Sequence, residues 1–425
     1  MTADTEQQVT RPMSQNADSQ QVDVAIVGGA MAGATLALGF QQLAHELNRP
    51  IKVALIEAHK PGNEHPGFDA RSIAIAHGSI FELKRLGLWS KLAHLGTAIE
   101  NIHISDRGHF GMTELNASDF HLKYLGQVIE LERVGQVLFK QVEASDIELY
   151  CPAKLKDIEA KSEHQLLTLD DGTQIQAKLV VAADGVNSKV RQAFKQPLEQ
   201  VDFEQVALVA NVETAKEHCN WAFERFTNSG PLAVLPLSPL NGKTRVSLVW
   251  ALNPSEAARL QTVSKQAFLT ELQAAFGSRA GQFTGVGERV SYPLLLSHMP
   301  RPIYHRTVFI GNAAQTLHPI AGQGFNLGLR DVVSLLDVVK QTLLAEDSIE
   351  EVADLGSAKL THSYLQSRES DRNATMNNIE CLVRGFSNDY WPLVAGRSFG
   401  LRLLSWVPPL KAPVVRTAMG WKSLS

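Results

Sequence analysis

Short apolar runs that end in glycine or in an acid recur along the chain and predict buried parallel strands. The first run, VDVAIVGG, begins at Val22 and is followed by apolar residues at three- and four-residue spacing between Leu36 and Leu47, which predict a helix. The next run, IKVALIEA, ends at Glu57. Strand, glycine turn, helix and strand within about 36 residues is the size expected of a parallel βαβ crossover.

The pattern changes twice further along the chain. Residues 79–95 show helical periodicity, and LLTLDDGTQI predicts a hairpin because Asp171-Gly172 separates two alternating runs. The hairpin leads into a core strand, AKLVVAADG. Residues 203–293 alternate apolar and polar positions around one helix near 265–276, which predicts an antiparallel, sheet-rich domain. TVFIGNAAQ then returns to the buried-strand type, and a long helix is predicted from Phe325.

The first glycine turn, from Gly28 to Gly33, has the order of a dinucleotide-binding turn. That motif, GxGxxG, uses its first glycine for the tight turn, its second for the approach of a pyrophosphate and its third for packing of helix on strand. The middle position is Ala30 in this chain, although Gly29 beside it keeps the turn small. Glu57 lies 24 residues after Gly33, where a carboxylate accepts hydrogen bonds from an adenosine ribose and disfavours a 2′-phosphate.

Two later strand ends carry related turns. Asp184-Gly185 follows AKLVVAAD and can turn backbone amides toward a phosphate, although such a pair is also a common strand terminator. The block from Gly311 to Asp331 ends a strand, passes through small residues at 321, 322 and 324, and enters an amphipathic helix. The N-terminus of a helix carries a partial positive charge of about half a unit, which stabilises negative charge on a ligand.

Composition and charge exclude several classes of protein. A net charge of -4 and a pI near 6.4 lack the basic excess that general nucleic-acid binding needs. The three cysteines lie too far apart for a disulfide framework, a zinc ribbon or a CxxC pair, and they fit a reducing, cytoplasmic compartment. The histidines show no metal-ligand spacing, so no metal is expected. No signal peptide is expected, and no apolar run reaches the roughly 18 residues of a membrane-spanning helix.

In chain order these motifs resemble those of single-component FAD-dependent aromatic hydroxylases. The matching segments are Gly28 to Gly33 with Glu57, the GFDAR stretch that ends at Arg71, Asp184-Gly185, and Gly311 to Asp331. The run HPIAGQGFNLG, from His318 to Gly328, is similar to a motif of the hydroxylases of ubiquinone biosynthesis. Further segments similar to members of that family are HPGFDARSIAIAHGS, SDRGHFG, LGQVIEL and FERFTNSGPLAVLPLS.

The resemblance implies an α/β fold in several parts. A Rossmann-like FAD-binding domain of the para-hydroxybenzoate hydroxylase type would carry an inserted antiparallel-sheet substrate domain and a helical C-terminal region. The changes of pattern give the boundaries: a disordered extension over 1–20, the FAD-binding domain over 21–200 and 301–345, the sheet-rich substrate domain over 201–300, and the helical region over 346–425. Clefts between such domains are favoured ligand sites.

The resemblance also implies a set of cofactor contacts with FAD. The expected cofactor-binding residues are Gly28, Gly29, Ala32, Gly33, Glu57, Arg71, Arg133, Asp184, Gly185, Gly311, Asn312, Gly322, Gln323, Gly324 and Asn326. Two positions depart from the family pattern, namely Ala30 in the first turn and Asn312, which replaces the aspartate usual at the ribityl chain. An asparagine side chain still donates and accepts hydrogen bonds, so flavin binding is retained in principle.

The implied activity is that of an FAD-dependent monooxygenase of ubiquinone biosynthesis. It would hydroxylate 2-polyprenyl-6-methoxyphenol to 2-polyprenyl-6-methoxy-1,4-benzoquinol with NAD(P)H and O2, through a flavin C4a-hydroperoxide, so the cofactor carries the chemistry. Pro319 is expected to shape the pocket for that chemistry. His318 beside it is a candidate catalytic side chain, with a structural role as the alternative.

The substrate-lining candidates come from the segment FERFTNSGPLAVLPL, which supplies an aromatic and aliphatic wall. They are Phe223, Arg225, Leu235 and Pro236, with core packing as the alternative for each. Two alternative functions stay open. One is a hydroxylase of the same pathway that acts at another ring position, and the other is a non-catalytic flavin-binding scaffold subunit.

Residues 382–425 concentrate positive charge and tryptophan. Six basic residues stand against one acid, which gives this segment +5 and leaves -9 for the rest of the chain. Trp391, Trp406 and Trp421 lie there as well, and Trp with Arg suits an interface. One interpretation is a peripheral contact with the inner face of the membrane that holds the polyprenylated substrate, or with other ubiquinone-biosynthesis enzymes in a complex. The other is packing of these helices on the flavin domain.

Overall fold

Three sheets and ten α-helices make up the part of the chain that the computed structural model describes, which is residues 20–60, 62, 71–318, 322–345, 353–386, 391–407, 411 and 419–420. The strands are β1 (Gln20–Val27), β2 (Val53–Ile56), β3 (Ser72–Ala76), β4 (Thr97–Ile99), β5 (Asn101–Asp106), β6 (Met112–Asn116), β7 (Gly126–Glu130), β8 (Glu148–Tyr150), β9 (Leu155–Ala160), β10 (Gln165–Leu169), β11 (Gln174–Ala182), β12 (Glu199–Thr214), β13 (Trp221–Thr227), β14 (Gly230–Leu240), β15 (Lys243–Leu252), β16 (Phe283–His298), β17 (Ile303–Tyr304), β18 (Thr307–Phe309) and β19 (Gln315–Thr316). The helices are α1 (Met31–Leu47), α2 (His77–Arg85), α3 (Trp89–Leu92), α4 (Leu131–Glu143), α5 (Lys189–Ala193), α6 (Pro254–Thr262), α7 (Lys265–Phe276), α8 (Gln323–Leu344), α9 (Ala358–Phe386) and α10 (Trp391–Trp406).

The first sheet has the order β17-β18-β11-β1-β2-β8, and its strands from β18 to β8 run parallel. Strands β9 and β10 extend it from β11 as an antiparallel meander. Successive residues of β1 serve two cores, because Val24 and Ile26 pack with α1, α4 and α8 while Ala25 and Val27 pack with the meander. Burial of both faces explains why these strands are continuous apolar runs in the sequence.

The second sheet has the order β19-β16-β12-β15-β14-β13-β5-β6 and is mostly antiparallel. Helices α6 and α7 cover the face that carries Leu208, Leu232 and Leu248, which is called the outer face below. The inner face carries the alternate residues of the same strands, such as Val209 and Leu235. The inner face is directed toward the first sheet and its helices.

The third sheet is small and lies against the inner face. It has the order β3-β7-β4, and all of its pairs are antiparallel. Arg245 on β15 donates to both carboxylate oxygens of Glu130 at the end of β7, at 3.1 Å each. This bidentate pair joins the second sheet to the third and to the start of α4.

Most of the predicted elements are present. The βαβ unit corresponds to β1, α1 and β2, the hairpin to β10 and β11, and the helix near 265–276 to α7. The helix predicted over 79–95 is broken at Gly87, whose φ of +70° ends α2, so that α3 and a short 3-10 turn complete the segment. Long helices are present after β19, as expected for the C-terminal region.

The sheet-rich part of the molecule draws on more of the chain than residues 201–300. Strand β5 pairs in parallel with β13, and β6 pairs with β5, so residues 101–116 extend the second sheet. This pairing joins segments more than 100 residues apart, and a local pattern carries no information about it. The predicted division into domains is otherwise kept as a proposal, and the N-terminal extension lies outside the described residues except for Gln20 in β1.

The helical C-terminal part packs on both sheets. Arg397 of α10 donates to Asp106 at the end of β5 at 2.8 Å, and both side chains are buried. Arg402 donates to the carbonyl oxygen of Phe110 at 2.7 Å, and Lys411 donates to that of Glu114 at 2.9 Å. Part of the basic charge therefore serves internal contacts. Among the described helices, none is both long and apolar enough to cross a membrane.

Candidate functional site

Four of the predicted cofactor-binding positions lie along one edge of the first sheet. Gly28 follows β1, Glu57 follows β2, Asp184 follows β11 and Gly311 follows β18. These four strands are parallel neighbours, so their carboxyl ends meet at the same edge. In open α/β sheets this is the edge where ligands bind. The structure therefore brings together the three turns that lie far apart in sequence.

The turn from Gly28 to Gly33 leaves no room for side chains at its two ends. Gly28 has a φ of +100°, and a Cβ there would lie 2.5 Å from the carbonyl oxygen of Ala183. A Cβ at Gly33 would lie 1.8 Å from the carbonyl oxygen of Gly28. Ala30 has an ordinary φ of -68°, so a methyl group is tolerated at the position that departs from the motif.

Glu57 fixes the turn from the neighbouring strand. Its Oε2 accepts a hydrogen bond from the backbone N–H of Gly29 at 2.5 Å, and its Oε1 accepts one from the N–H of His59 at 2.9 Å. The side chain is buried, so the carboxylate is held beside the glycine turn. That placement agrees with the predicted position beside an adenosine ribose.

Asp184 has one satisfied and one unsatisfied carboxylate oxygen. Its Oδ2 accepts hydrogen bonds from the N–H groups of Lys189 at 2.6 Å and Val190 at 3.3 Å. Its Oδ1 is buried and accepts none from the described residues, and burial raises the pKa of this carboxyl group. A buried acceptor of this kind requires a donor, and hydroxyl groups of a bound nucleotide cofactor supply donors. Gly185 continues the turn with a φ of +80°.

The turn after β18 is locked by a buried ion pair. The N–H of Gly311 donates to Oδ2 of Asp331 at 3.0 Å, and Nε of Arg368 donates to Oδ1 of the same carboxylate at 2.8 Å. A Cβ at Gly311 would lie 3.4 Å from the Cβ of Ala32, and one at Gly328 would lie 3.3 Å from the Cα of Gly311. Helices α1 and α8 thus converge on this turn. Sequence reasoning missed Arg368, because nothing in α9 marks it as a partner of Asp331.

The N-terminus of α8 is set by Gly322 and Asn326. Gly322 has a φ of +61°, and a Cβ there would lie 3.1 Å from that of Ala74 on β3. Asn326 accepts a hydrogen bond from the N–H of Ala76 at 2.9 Å and donates to the carbonyl oxygens of Ala74 and Gly322 at 3.0 and 2.7 Å. The Asn326 side chain therefore positions the helix N-terminus against β3.

The other two candidates at this helix differ in accessibility. Gln323 is buried, whereas a Cβ at Gly324 would meet no atom within 4 Å. The open space over Gly324 lets a flat ring system approach the backbone closely. Asn312, in the turn after β18, is exposed and free to contact a ligand from the other side. Their roles toward FAD stay predictions.

His318 is fully buried and lies edge-on to the ring of Phe203, with the ring centroids 5.6 Å apart. Burial lowers the pKa of His318 to about 4. The imidazole is therefore neutral at neutral pH and is a weak base, which favours the structural alternative for this residue. Pro319, the other catalytic candidate, lies outside the described residues.

The two arginine candidates occupy different environments. The Arg71 guanidinium lies over the ring of Tyr292 on β16, 4.6 Å from its centroid, so it bridges the first part of the chain and the inner face. Arg133 is half-exposed in the first turn of α4, 3.6 Å from Glu130. Arg71 is thus at the cleft, whereas Arg133 lies at its rim.

Three of the four substrate-lining candidates lie on the outer face of the second sheet. Phe223 pairs with Val234, and its ring packs edge-on against Phe276 of α7 with centroids 5.6 Å apart. Arg225 and Pro236 follow at intervals of two on the same face, where α6 and α7 cover the sheet. This placement favours the core-packing alternative for Phe223, Arg225 and Pro236, and their role in lining the substrate site stays a prediction. Side chains alternate between the faces of a strand, and the sequence alone does not give the phase.

Leu235 does lie on the inner face, where it packs near Ala74 of β3. The same face carries Glu224, which sequence reasoning missed. The available signal was an acid at the strand position between Ala222 and Phe226, which are both apolar. Burial raises the pKa of Glu224 to about 7. Among the described residues there is no group of three or more His, Cys, Asp or Glu side chains that could hold a metal ion.

These features fit a bound FAD. The glycine turn and the N-termini of α1 and α8 offer backbone amides and positive dipole ends to a pyrophosphate and to the flavin ring. Glu57 and the unsatisfied oxygen of Asp184 offer acceptors to hydroxyl groups. The inner face of the second sheet closes the other side of the cleft, so a second, apolar reactant can lie against the ring.

Comparisons with known proteins support FAD as the cofactor. A family described as FAD binding domain matches residues 21–348. Ubiquinone hydroxylase UbiL of Rhodospirillum rubrum is 32% identical over 418 residues, covering 97% of this chain and 92% of that protein. The 3-demethoxyubiquinol 3-hydroxylase of Escherichia coli is 30% identical over 407 residues, covering 95% and 99%.

A solved structure shows the same fold at lower sequence identity. The crystal structure of pqsL, a probable FAD-dependent monooxygenase from Pseudomonas aeruginosa, matches with a TM-score of 0.72 and 19% identity, over 89% of this chain and 99% of that one. The chain therefore belongs to the FAD-binding-domain family and, within it, to the FAD-dependent monooxygenases of ubiquinone biosynthesis, and it is an aromatic hydroxylase.

Proposed function

We propose that this enzyme hydroxylates 2-polyprenyl-6-methoxyphenol at the ring carbon para to the phenol oxygen. The product is 2-polyprenyl-6-methoxy-1,4-benzoquinol, NAD(P)H is the reductant and O2 supplies the oxygen. The observation that carries the proposal is that the inner face of the second sheet packs against β3 and the first turns of α8, and that α8 in turn contacts Gly311 at the carboxyl edge of the first sheet. An apolar ring with a long hydrocarbon tail fits such a cleft.

The proposed cofactor roles are those that the family resemblance implies, and the geometry of the carboxyl edge supports them. Gly28, Gly29, Ala32, Gly33, Asp184 and Gly185 would hold the pyrophosphate, Glu57 the adenosine ribose, Gly311 and Asn312 the ribityl chain, and Gly322, Gln323 and Gly324 the flavin ring. Asn326 would act by fixing the start of α8. Arg71 would meet the phosphates or the incoming NAD(P)H, and Arg133 would meet FAD from the rim.

When bound, FAD passes electrons from NAD(P)H to O2 and delivers one oxygen atom to the ring. The chain contributes orientation, charge stabilisation and exclusion of water. The N-terminus of α8 would stabilise negative charge on a flavin held beside it, because the first turn of a helix has unpaired backbone amides and a partial positive charge. Leu235, which is half-buried on the inner face, would contact the aromatic substrate and help to keep water away from it.

The flavin and the product together test this proposal. The purified protein should be yellow, its oxidised-flavin absorption should be bleached by NAD(P)H and restored by air, and a synthetic short-chain 2-prenyl-6-methoxyphenol should gain one oxygen by mass spectrometry. G33A should be colourless, because its Cβ would meet the Gly28 carbonyl oxygen, whereas G400A, with open space around its Cβ, should bind FAD normally. A colourless protein that FAD does not reconstitute would overturn the proposal.

The ring position is the main competing question, because one relative is a 3-demethoxyubiquinol 3-hydroxylase. Offering the enzyme the 6-methoxyphenol and a short-chain demethoxyubiquinol side by side separates the two activities. Hydroxylation of the second compound alone would assign the alternative position. Bound FAD with neither product would favour the scaffold alternative.

We also propose that α10 contacts the membrane from which the substrate comes. Phe399 and Trp406 are 56% and 66% exposed on α10, and Phe110, whose carbonyl oxygen binds Arg402, is 60% exposed. Exposed aromatic residues beside a cation suit the polar–apolar boundary of a bilayer. The double variant F399S/W406S should co-sediment less with anionic liposomes than the wild type does. The control L240S, at another exposed site, should co-sediment as the wild type does. Equal binding of all three proteins would contradict the membrane contact. Co-purification would then test the alternative, a complex with other enzymes of the pathway.

A further inference from the structure

Glu224 lies in the middle of β13 on the inner face of the second sheet. Its neighbours along that face of the strand are Ala222 and Phe226. Across the sheet it pairs with Ile104 on β5 and Ala233 on β14. The four flanking positions are apolar, so nothing beside it in the sheet compensates an acidic side chain.

Two hydrophobic clusters place Glu224 relative to the cofactor cleft. On one side, Ala222 packs in a cluster with Leu235 and with Ala74 of β3, the residue next to Gly322. On the other side, Phe226 packs in a cluster with Leu317 and Leu327. Leu317 follows β19, and Leu327 lies in the second turn of α8. Glu224 sits on the strand between these clusters, so it lies on the side of the sheet that packs against the first turns of α8, where the flavin ring is expected.

The surroundings of Glu224 leave its carboxyl group available to a ligand. The side chain is partly accessible although its strand is interior, which places it at the border of a cleft. None of the described residues donates a hydrogen bond to it, and burial alone raises its pKa to about 7. The charged and titratable groups on the inner-face side are Arg71, His318, and the ion pairs Arg245–Glu130 and Asp106–Arg397. Helices α8 and α9, which pack against Phe226, add the ion pairs Arg368–Asp331 and Arg330–Asp371, and Arg372, which donates to the carbonyl oxygen of Met299. The four pairs are internally neutralised, and His318 is uncharged at neutral pH.

We propose that Glu224 binds the hydroxyl group of the phenolic substrate and accepts its proton during hydroxylation. This role rests on the proposed function, since it requires a phenol in the cleft. An acid kept in apolar surroundings without a protein partner costs stability, and such groups concentrate at functional sites. A carboxylate at this place fixes which ring oxygen faces the sheet, and therefore which ring carbon faces the cofactor.

The phenol O–H bond breaks, the proton moves to a carboxylate oxygen of Glu224, and the electron pair of that bond conjugates into the ring. The O–O bond of the oxidant breaks as the para carbon forms a C–O bond with a hydroxyl group that carries one oxygen atom of O2. The other oxygen atom leaves as water, which takes the two electrons of NAD(P)H and protons from solvent. The resulting dienone loses the proton of the para carbon to solvent, and its carbonyl oxygen takes a proton back from Glu224, so the carboxylate is regenerated.

Kinetics of E224Q in the FAD-loaded enzyme test this role. General-base groups contribute about 10²- to 10⁴-fold to rate, so kcat should fall by about 100-fold. In the wild type, kcat should rise with pH up to about 7, because only the ionised carboxyl group accepts a proton. In E224Q that rise should be absent, while FAD content and the rate of flavin reduction without substrate stay unchanged. E224D should recover part of kcat and the rise with pH.

Binding of 2-methoxy-4-nitrophenol gives a readout that needs no turnover. Its para carbon is blocked, and its phenol and phenolate forms absorb at different wavelengths. Next to an ionised Glu224 the phenolate would add a second negative charge to an apolar site, so the pair retains one proton to higher pH. The apparent pKa of the bound probe should be raised by about one unit or more in the wild type relative to E224Q.

The control is E288Q, which changes an exposed acid on β16 of the same sheet. E288Q should match the wild type in kcat, pH profile and probe titration. If the wild type forms the benzoquinol and E224Q keeps both its rate and its pH profile, the role of Glu224 is wrong while the proposed function stands. If no variant hydroxylates the phenol, the proposed function fails. An identical probe titration in the wild type and E224Q would also overturn the role of Glu224.

Discussion

The two faces of the second sheet are built from alternate residues of the same strands and have different tasks. On the outer face, Leu208, Leu232 and Leu248 are fully buried under α6 and α7. On the inner face, Val209 and Leu235 are only half-buried, although both are as apolar as their neighbours. Burying a large aliphatic side chain fully stabilises a fold by about 1.5–3 kcal/mol. The outer face therefore supplies stability, and the inner face keeps apolar surface uncovered for a ligand.

The largest predicted effect comes from the outer face. L248A should lower the free energy of unfolding by about 2–5 kcal/mol, because it leaves a cavity in a closed core. L235A on the inner face should cost about 1 kcal/mol or less, since the cleft already borders that side chain. Urea unfolding of the two variants, followed by tryptophan fluorescence, measures both values.

L240A is the matched control for this pair. Leu240 lies on the same hairpin and is 54% exposed, so its truncation should change stability by less than about 0.5 kcal/mol. If L235A destabilises the protein as much as L248A does, the inner face is closed by packing, and the assignment of a ligand cleft to it fails.

The same comparison shows what the sequence could predict. The turns at the carboxyl edge of the first sheet could be predicted because each is local: glycine at a strand end, with a helix after it, needs only neighbouring residues. The contacts of these turns with FAD stay predictions. The inner and outer faces were not distinguished, because the choice between Phe223 and Leu235 depends on strand register, which long-range pairing sets. The placement of Phe223, Arg225 and Pro236 on the outer face and that of Glu224 on the inner face both depend on this one unknown, the phase of the strand.

Two other features could not be predicted from the sequence because they also depend on long-range pairing. The pairing of β5 with β13 and the ion pair of Asp331 with Arg368 join segments that no local pattern connects. The sequence pattern did not predict β5 as a strand of the second sheet, and it did not mark Arg368 in α9 as a partner of Asp331. The fold class followed from the order of elements along the chain. The contacts that fix the geometry of the site became visible only in the folded structure, where these elements pack together.

The second prediction concerns His318 at the base of the cleft. In the unfolded chain a histidine binds a proton with a pKa near about 6.5, whereas in the folded protein burial lowers the pKa to about 4. Between these values the unfolded state holds more protons, so the unfolding free energy should fall as the pH decreases. From about pH 7 to pH 5 the loss should be about 2 kcal/mol in the wild type beyond that in H318Q. Parallel slopes for the two proteins in urea titrations would show that His318 is charged or accessible in the fold.

The smallest predicted effect is on KM, and it should distinguish the inner face from the outer face by substrate binding instead of by stability. L235A removes a contact from the inner face, so KM for the short-chain phenol should rise about five- to tenfold, which corresponds to about 1 kcal/mol of lost binding. F223A lies on the outer face and should leave KM and the ring position of hydroxylation unchanged, although it lowers stability through its contact with Phe276. Steady-state kinetics at a temperature where both variants are folded distinguishes these outcomes. A rise in KM for F223A with none for L235A would reverse the assignment, because the substrate would then lie beneath α6 and α7.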